Sequence, residues 1–346
     1  MKRRAGFFQR LSSTQIVYLV ALATLILGVA LVNSIGRSFF SPGNISSILT
    51  GTSVLGFIAI GQTLVILAGS LDLSVPYVTS LASLIAAGVM ANNPNNVFAG
   101  VLLTLGTAAV IGLAIGLIVA RLNVHGFIAT LGVGLIISGY LATNFKGSFG
   151  ETPLAFRLVG ATGLGPVPIS TIIMLACAGL AMLLLHRTRV GHHLYAVGGD
   201  IAVARTSGIR VDVPVITAHV ICSVLAGMAG LLLASRLGVG SPTVGSQGGY
   251  DLLSIAAVVL GGTLLSGGKG TVTGTLGGVL IFAMLDNIMS VMQVNPFLKD
   301  VVRGVVIVVA VAVYARRRIV SRPDRFAAKG SAETPAAQQP VPAEGS

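Results

Sequence analysis

The chain has 346 residues, of which 54% are hydrophobic and only 9% are charged. About a quarter of the residues in a soluble domain are charged, so this composition excludes a globular protein with a water-facing surface. The net charge of +12 does not indicate nucleic-acid binding, because the sequence has no Trp and no basic patch interleaved with aromatic residues. The apolar residues form long runs without alternation, which excludes a β-barrel and predicts an all-α, polytopic membrane helical bundle.

Ten apolar runs follow one another along residues 16–318. A full span needs about 20 residues, so the shorter runs must be tilted, extended by flanking polar residues, or re-entrant. We expect about ten spans, preceded by a basic segment at 1–15 and followed by a tail at 319–346, whose composition predicts disorder. The runs are Ile16–Val32, Ile45–Ala68, Val75–Ala91, Val97–Ala120, Phe127–Ala142, Val167–Leu185, Val213–Ala234, Leu252–Leu265, Val272–Leu285 and Val301–Ala315.

Lys and Arg are distributed unevenly between the two sides that ten alternating spans create. With the N-terminus inside, the inner segments hold 16 of these residues and the outer segments hold 6, which together account for all 22. Cytoplasmic segments of membrane proteins carry the excess of Lys and Arg. The split therefore predicts an even number of spans with both termini in the cytoplasm.

The longest polar stretch between runs, 186–212, contains the signals of a short capped helix. Asp200 precedes Ile201–Ser207 and is a favourable N-cap residue, while Gly208 fits the end of the helix. A capped helix at the cytoplasmic face is suited to docking a soluble partner. An ordinary positively charged loop is the alternative.

A short polar connection, GSLDLSVP at 69–76, separates the second and third runs. Ser74 can cap the following helix, and Pro76 fits its first turn. Asp72 lies where the positive end of that helix favours an anion. Asp72 is therefore either part of a pathway, as intramembrane acids commonly are, or a structural residue of a tight turn.

The segment Gly261–Gly270 resembles a phosphate-binding loop but lacks two of its features. The motif requires Gly where Thr263 stands, and Ser or Thr where Gly270 stands. We therefore expect no nucleotide site in this chain. Gly270, Gly274 and Gly278 recur every four residues, which predicts a helix face that packs closely against a neighbouring helix.

The other polar groups do not assemble into a catalytic or metal-binding set. Asp300 and Arg303 are three residues apart and can pair on one helix face. Cys177 and Cys222 lie within apolar runs and are expected to behave as small core residues. We expect the chain to be no enzyme and to hold neither a metal nor a cofactor.

Several long motifs occur in order along the chain: AGSLDLSVP at 68–76, FIATLGVGLIISG at 127–139, GHHLYAVGGDIAVARTSGI at 191–209, and DLLSIAAVVLGGTLLSGGKGTVTGTLGG at 251–278. Together they resemble the permease subunits of bacterial ribose/xylose-type ABC sugar importers. The resemblance covers roughly residues 40–318, and the closing segment NPFLKDVVRGVVIVVAVAVYARRR is similar to the family's final helix.

The resemblance implies an inner-membrane protein that carries a monosaccharide. Such a permease pairs with a second permease copy, two cytoplasmic ATPase subunits and an extracytoplasmic solute-binding protein. The positions that match the family's ATPase-coupling segment are Gly198, Gly199, Asp200, Ala204 and Gly208.

The sequence departs from the family pattern at three positions, because Asp200 replaces the usual Asn, Pro76 the usual Gly and Gly126 the usual Pro. A branched-chain amino-acid or nucleoside permease is one alternative that shares the architecture, although the GGTLLSGGKG and LDLS motifs favour the sugar branch. A proton-coupled secondary transporter is another, and it would need an ionisable relay within the spans. The candidates for that relay are Asp72, His219 and Asp286, on separate segments.

Overall fold

The computed structural model describes residues 12–320, without the side chains of Ser13 and of residues 309–320. Most of the basic segment at 1–15 and nearly all of the tail at 319–346 lie outside these described residues, and so do the predictions made for them.

Within the described range the chain is mainly helical, with one turn of 3-10 helix at Pro94–Asn96 and one short antiparallel hairpin in which Gly163 pairs with Pro168. The helices are α1 Ser13–Ser34, α2 Pro42–Leu67, α3 Val75–Met90, α4 Val97–Arg121, α5 Gly126–Asn144, α6 Leu154–Ala161, α7 Ile169–Arg187, α8 Arg189–Gly199, α9 Ile201–Thr206, α10 Asp212–Leu237, α11 Val244–Gln247, α12 Tyr250–Leu260, α13 Val272–Val291 and α14 Pro296–Val320, and the strands are β1 Gly163–Leu164 and β2 Val167–Pro168.

The structure confirms an all-α polytopic membrane protein but does not confirm ten spans. Seven helices among the described residues are long and apolar enough to cross a membrane, namely α1, α2, α4, α5, α7, α10 and α13. Two further apolar runs fold as the shorter helices α3 and α12, with 16 and 11 residues. The last run falls on α14, part of which lies beyond the described side chains.

The helices α2 and α10 form the centre of the bundle. Every residue of α2 from Thr52 to Leu67 is buried, and α10 packs against α4, α2 and α3. By contrast, α4 buries a narrow stripe that includes Gly100, Thr104 and Ala108, four residues apart. Its other faces expose large aliphatic side chains, which suits a helix that borders lipid.

The short helices α3 and α12 each follow a stretch of irregular backbone, which before α12 includes the four-residue helix α11. The segment 69–74 turns back along α2, where the side-chain amide of Gln62 exchanges two hydrogen bonds of 3.2 Å with the backbone of Asp72. The segment 238–249 lies alongside α3, where the Gly245 N–H donates to the Ser80 hydroxyl at 3.0 Å. Irregular backbone is tolerated at membrane depth only where protein or a cavity surrounds it, and broken helices of this kind are typical of transporter binding sites.

Candidate functional site

A cavity of about 460 Å³ opens near the N-terminal end of α2. It lies between α2, α12, α13 and α14, and Tyr250 at the first position of α12 contributes to its wall. Side chains that line it and can donate or accept hydrogen bonds are Arg37, Asn44, Ser47, Arg236, Tyr250, Asp286, Asn287, Ser290 and Arg303. A cavity with this many polar groups inside an apolar bundle is suited to a hydrophilic solute.

One wall of the cavity is held by a network of charges. Arg303 lies 3.0 Å from Asp300, which confirms the pair expected from their spacing, and it also lies 2.5 Å from Asp286. The second contact joins α14 to α13 across 17 positions of the chain, at the outer turn near which the sequence groups Asp286 and Arg303. Asn287 follows Asp286 and has a buried side-chain oxygen without a hydrogen-bond partner among the described residues.

A fully buried polar cluster surrounds Asp72, on the segment between α2 and α3. The Asp72 Oδ2 lies 3.6 Å from the His219 Nδ1 of α10, and neither side chain is exposed to solvent. The Ser70 hydroxyl lies 3.1 Å from the other ring nitrogen of His219. Sequence analysis placed Asp72 and His219 on separate segments, and the fold brings them together.

Ser74 does not cap α3 with its side chain, contrary to expectation. It stands at the N-cap position, but its hydroxyl donates to Asp72 Oδ1 at 2.5 Å, and its N–H donates to the same oxygen at 2.9 Å. Asp72 therefore holds Ser74, the residue at the N-cap position, through both its hydroxyl and its N–H group. Pro76 and Gly126 leave the helix starts intact, since α3 begins at Val75 and α5 begins at Gly126.

At the opposite end of α2, the stretch 186–212 contains two helices instead of the one expected. The first, α8, continues almost directly from α7. The second, α9, begins after Asp200, whose carboxylate accepts hydrogen bonds from Ala202 N–H at 2.8 Å and Val203 N–H at 3.1 Å. This is the N-cap that the sequence predicts.

The C-terminal end of α9 is closed by Gly208, whose φ of +78° favours glycine. The Gly208 N–H bonds to the carbonyl of Arg205, and the Ile209 N–H bonds to that of Ala204, which together form a Schellman motif. A helix of six residues is too short to be stable alone, so these caps fix its shape.

The exposed side of α9 differs from the one that the sequence suggests. Ala204 is only 3% exposed and packs into the core of the chain itself. The apolar side chains that face outward are Ile201, 48% exposed, and Val203, 59% exposed. Ile201 lies three residues before Ala204 and Val203 lies one residue before it, and which of these side chains is buried could be recognised only once the helix was oriented.

The glycines expected on one helix face divide into two groups. Gly270 lies before α13, which begins at Val272, so the face contains only Gly274 and Gly278. A methyl group at Gly274 would overlap the carbonyl oxygen of Gly261, and one at Gly278 would overlap that of Ala257. These two glycines let α13 approach α12 backbone to backbone within the chain.

Comparison with known proteins identifies the family to which these features belong. Residues 44–311 match the family described as the permease component of the branched-chain amino acid transport system. The chain is 39% identical to the ribose import permease protein RbsC of Escherichia coli K12 over 302 residues, which cover 85% of this chain and 92% of that protein. The chain belongs to this permease family.

The permease is also similar to other import permeases. The ribose import permease RbsC of Bacillus subtilis is 36% identical and covers 82% of the chain, while the galactose/methyl galactoside import permease MglC of Escherichia coli K12 is 34% identical and covers 81%. No solved structure matches the permease. The permease is thus a multi-pass inner-membrane component of an ABC import system, a type of system that includes a binding protein and an ATPase.

Proposed function

We propose that the permease forms the membrane pathway for a monosaccharide of the ribose type. A solute-binding protein delivers the sugar, a separate ATPase drives its movement, and a second permease subunit completes the pathway. The proposal is carried by the relatives named for ribose and galactose import, which align with more than four fifths of the chain. The family match at 44–311 includes α9 and every lining residue of the cavity except Arg37.

The cavity is the part of the pathway that meets the sugar in this proposal. Sugar hydroxyls both donate and accept hydrogen bonds, and the cavity offers amide, hydroxyl, carboxylate and guanidinium partners. The side-chain amide of Asn287, which lines the cavity, can both donate and accept hydrogen bonds. Tyr250 adds an aromatic ring that can cover the apolar face of a sugar.

The α9 end faces the cytoplasm in this proposal, and α9 docks on the ATPase. Exposed Ile201 and Val203 supply an apolar contact that a groove on a soluble partner can bury. Gly199 and Asp200 are exposed beside them, whereas Ala204 supports the helix from within. Of the 16 basic residues assigned to the inner side, ten lie in the terminal segments, which therefore decide the orientation.

The proposal is tested by uptake into proteoliposomes that contain the permease, its ATPase and its binding protein. We expect ATP-dependent uptake of labelled ribose, which unlabelled ribose or galactose reduces and which leucine or uridine does not. Competition by leucine or uridine alone would assign the permease to the amino-acid or nucleoside branch. Uptake driven by a pH gradient without ATP would contradict an ABC mechanism altogether.

A further inference from the structure

Three backbone segments meet at the C-terminal end of α8, directly before α9. We call this contact the loop junction, and it consists of Leu67–Gly69, Gly198–Gly199 and 267–270. The Gly268 N–H donates to the carbonyl of Leu67 at 3.1 Å. A methyl group at Gly198 would overlap that same carbonyl and would lie 2.6 Å from the Gly268 nitrogen. The three segments therefore touch through main-chain atoms, without side chains between them.

A side chain joins α8 to the loop junction as well. The hydroxyl of Tyr195 donates to the carbonyl of Gly270 at 3.0 Å. Burial raises the pKa of the Tyr195 phenol, so the group remains a neutral donor at physiological pH. The last turn of α8 is thus attached to the segment before α13 at two points, Gly198 and Tyr195.

Beyond the loop junction, the first segment leads to α3. The segment 69–74 is held from two sides, because Thr130 of α5 bonds the backbone of Leu71 and Leu73, and His219 of α10 contacts Ser70. A segment fixed at this many points moves as one piece.

The segment 267–270 belongs to the connection between α12 and α13, and through α12 it leads to the cavity. The connection between α12 and α13 is closed by a hydrogen bond of 2.8 Å from Leu264 N–H to the Lys269 carbonyl. The 11 residues of α12 separate this connection from Tyr250, which lies at the other end of the helix in the cavity wall. At 1.5 Å per residue, the loop junction therefore lies about 16 Å of helix away from the cavity.

We propose that the loop junction transmits the displacement of α9 to α3 and α12, with Gly198 and Tyr195 as positioning residues. This inference rests on the proposed function, because it assumes that α9 receives the movement of an ATPase. Close-packed backbone has little free volume, so a shift of α8 displaces its neighbours and is not absorbed by side-chain rotation.

The test uses the complete transporter in proteoliposomes and measures sugar uptake per ATP hydrolysed. Gly198→Ala should lower this ratio about tenfold, within the range found for substitutions along coupling networks, while the ATPase stays bound. Gly112→Ala is a control with a backbone clash elsewhere, since its methyl group would lie 2.7 Å from the His219 carbonyl oxygen, whereas the methyl group of Gly198→Ala would lie still closer to the Leu67 carbonyl oxygen. Gly179→Ala is a control with open space around it. Both controls should leave the ratio unchanged, even where Gly112→Ala reduces the amount of protein.

Tyr195→Phe and the unmodified transporter provide tests that do not depend on how well Gly198→Ala folds. Tyr195→Phe removes only the hydrogen bond to Gly270 and should also lower uptake per ATP. In the wild-type complex, ATP binding should change amide hydrogen exchange together at 67–74, 196–200 and 264–270.

The results separate this inference from the proposed function. Absence of ATP-driven uptake in the wild type would overturn the proposed function. Normal wild-type uptake, with an unchanged ratio in Gly198→Ala or in Tyr195→Phe, would overturn only the role of the loop junction. Exchange that changes at 196–200 alone would also overturn it, since the movement would then end at α8.

Discussion

Replacement of Asp200 by Ala should weaken ATPase binding by removing the N-cap of α9. The carboxylate accepts two backbone hydrogen bonds, at 2.8 and 3.1 Å, and no other side chain of the described residues bonds these N–H groups. Loss of an N-cap costs about 0.5–2 kcal/mol, which lowers the helical population by a factor of about 2 to 30. The Schellman motif and the buried Ala204 remain, so the loss should stay local.

The assay is co-purification of the ATPase with the tagged permease, together with ATP-driven uptake. Asp200→Asn should behave as the wild type, because Asn offers an equivalent cap acceptor. Thr206→Ala is a matched control on the same helix, since it removes an exposed hydroxyl that bonds only the Val203 carbonyl. Full ATPase binding by Asp200→Ala would refute the role of the cap. If Asp200→Asn failed as severely as Asp200→Ala, the charge would matter and not the acceptor.

Three further predictions follow from the buried contacts and the charge distribution. Asp72→Ala should lower the melting temperature in detergent, because it removes the oxygen that accepts both buried hydrogen bonds of Ser74; an unchanged melting temperature would show that these bonds are dispensable. Gly274→Ala should reduce folded protein, since its methyl group overlaps the backbone of α12, whereas Gly179→Ala has open space and should not; equal yields would contradict the packing argument. A thiol reagent applied outside should label Glu151→Cys and not His192→Cys, and the reverse pattern would overturn the assigned orientation.

Composition and local pattern predicted much of the chain correctly, because these properties depend on neighbours in sequence. Low charge and long apolar runs determine that the chain is an α-helical membrane protein. The cap at Asp200 and the turn at Gly208 follow from residues within one helical turn. The long motifs were sufficient to recognise the permease family, which the comparisons confirm.

The tertiary structure decided which distant residues meet and which face of each helix is buried. Asp72 and His219 are 147 positions apart, and only the turn of the segment 69–74 back along α2 brings them together. Seven helices of the described residues are long enough to span, against ten apolar runs, because α3 and α12 have only 16 and 11 residues and α14 is described only in part. Ala204 faces inward, and Ile201 faces outward, because α9 is oriented by contacts with the core. Hydropathy records that a residue is apolar, but burial depends on the neighbouring helix against which it packs.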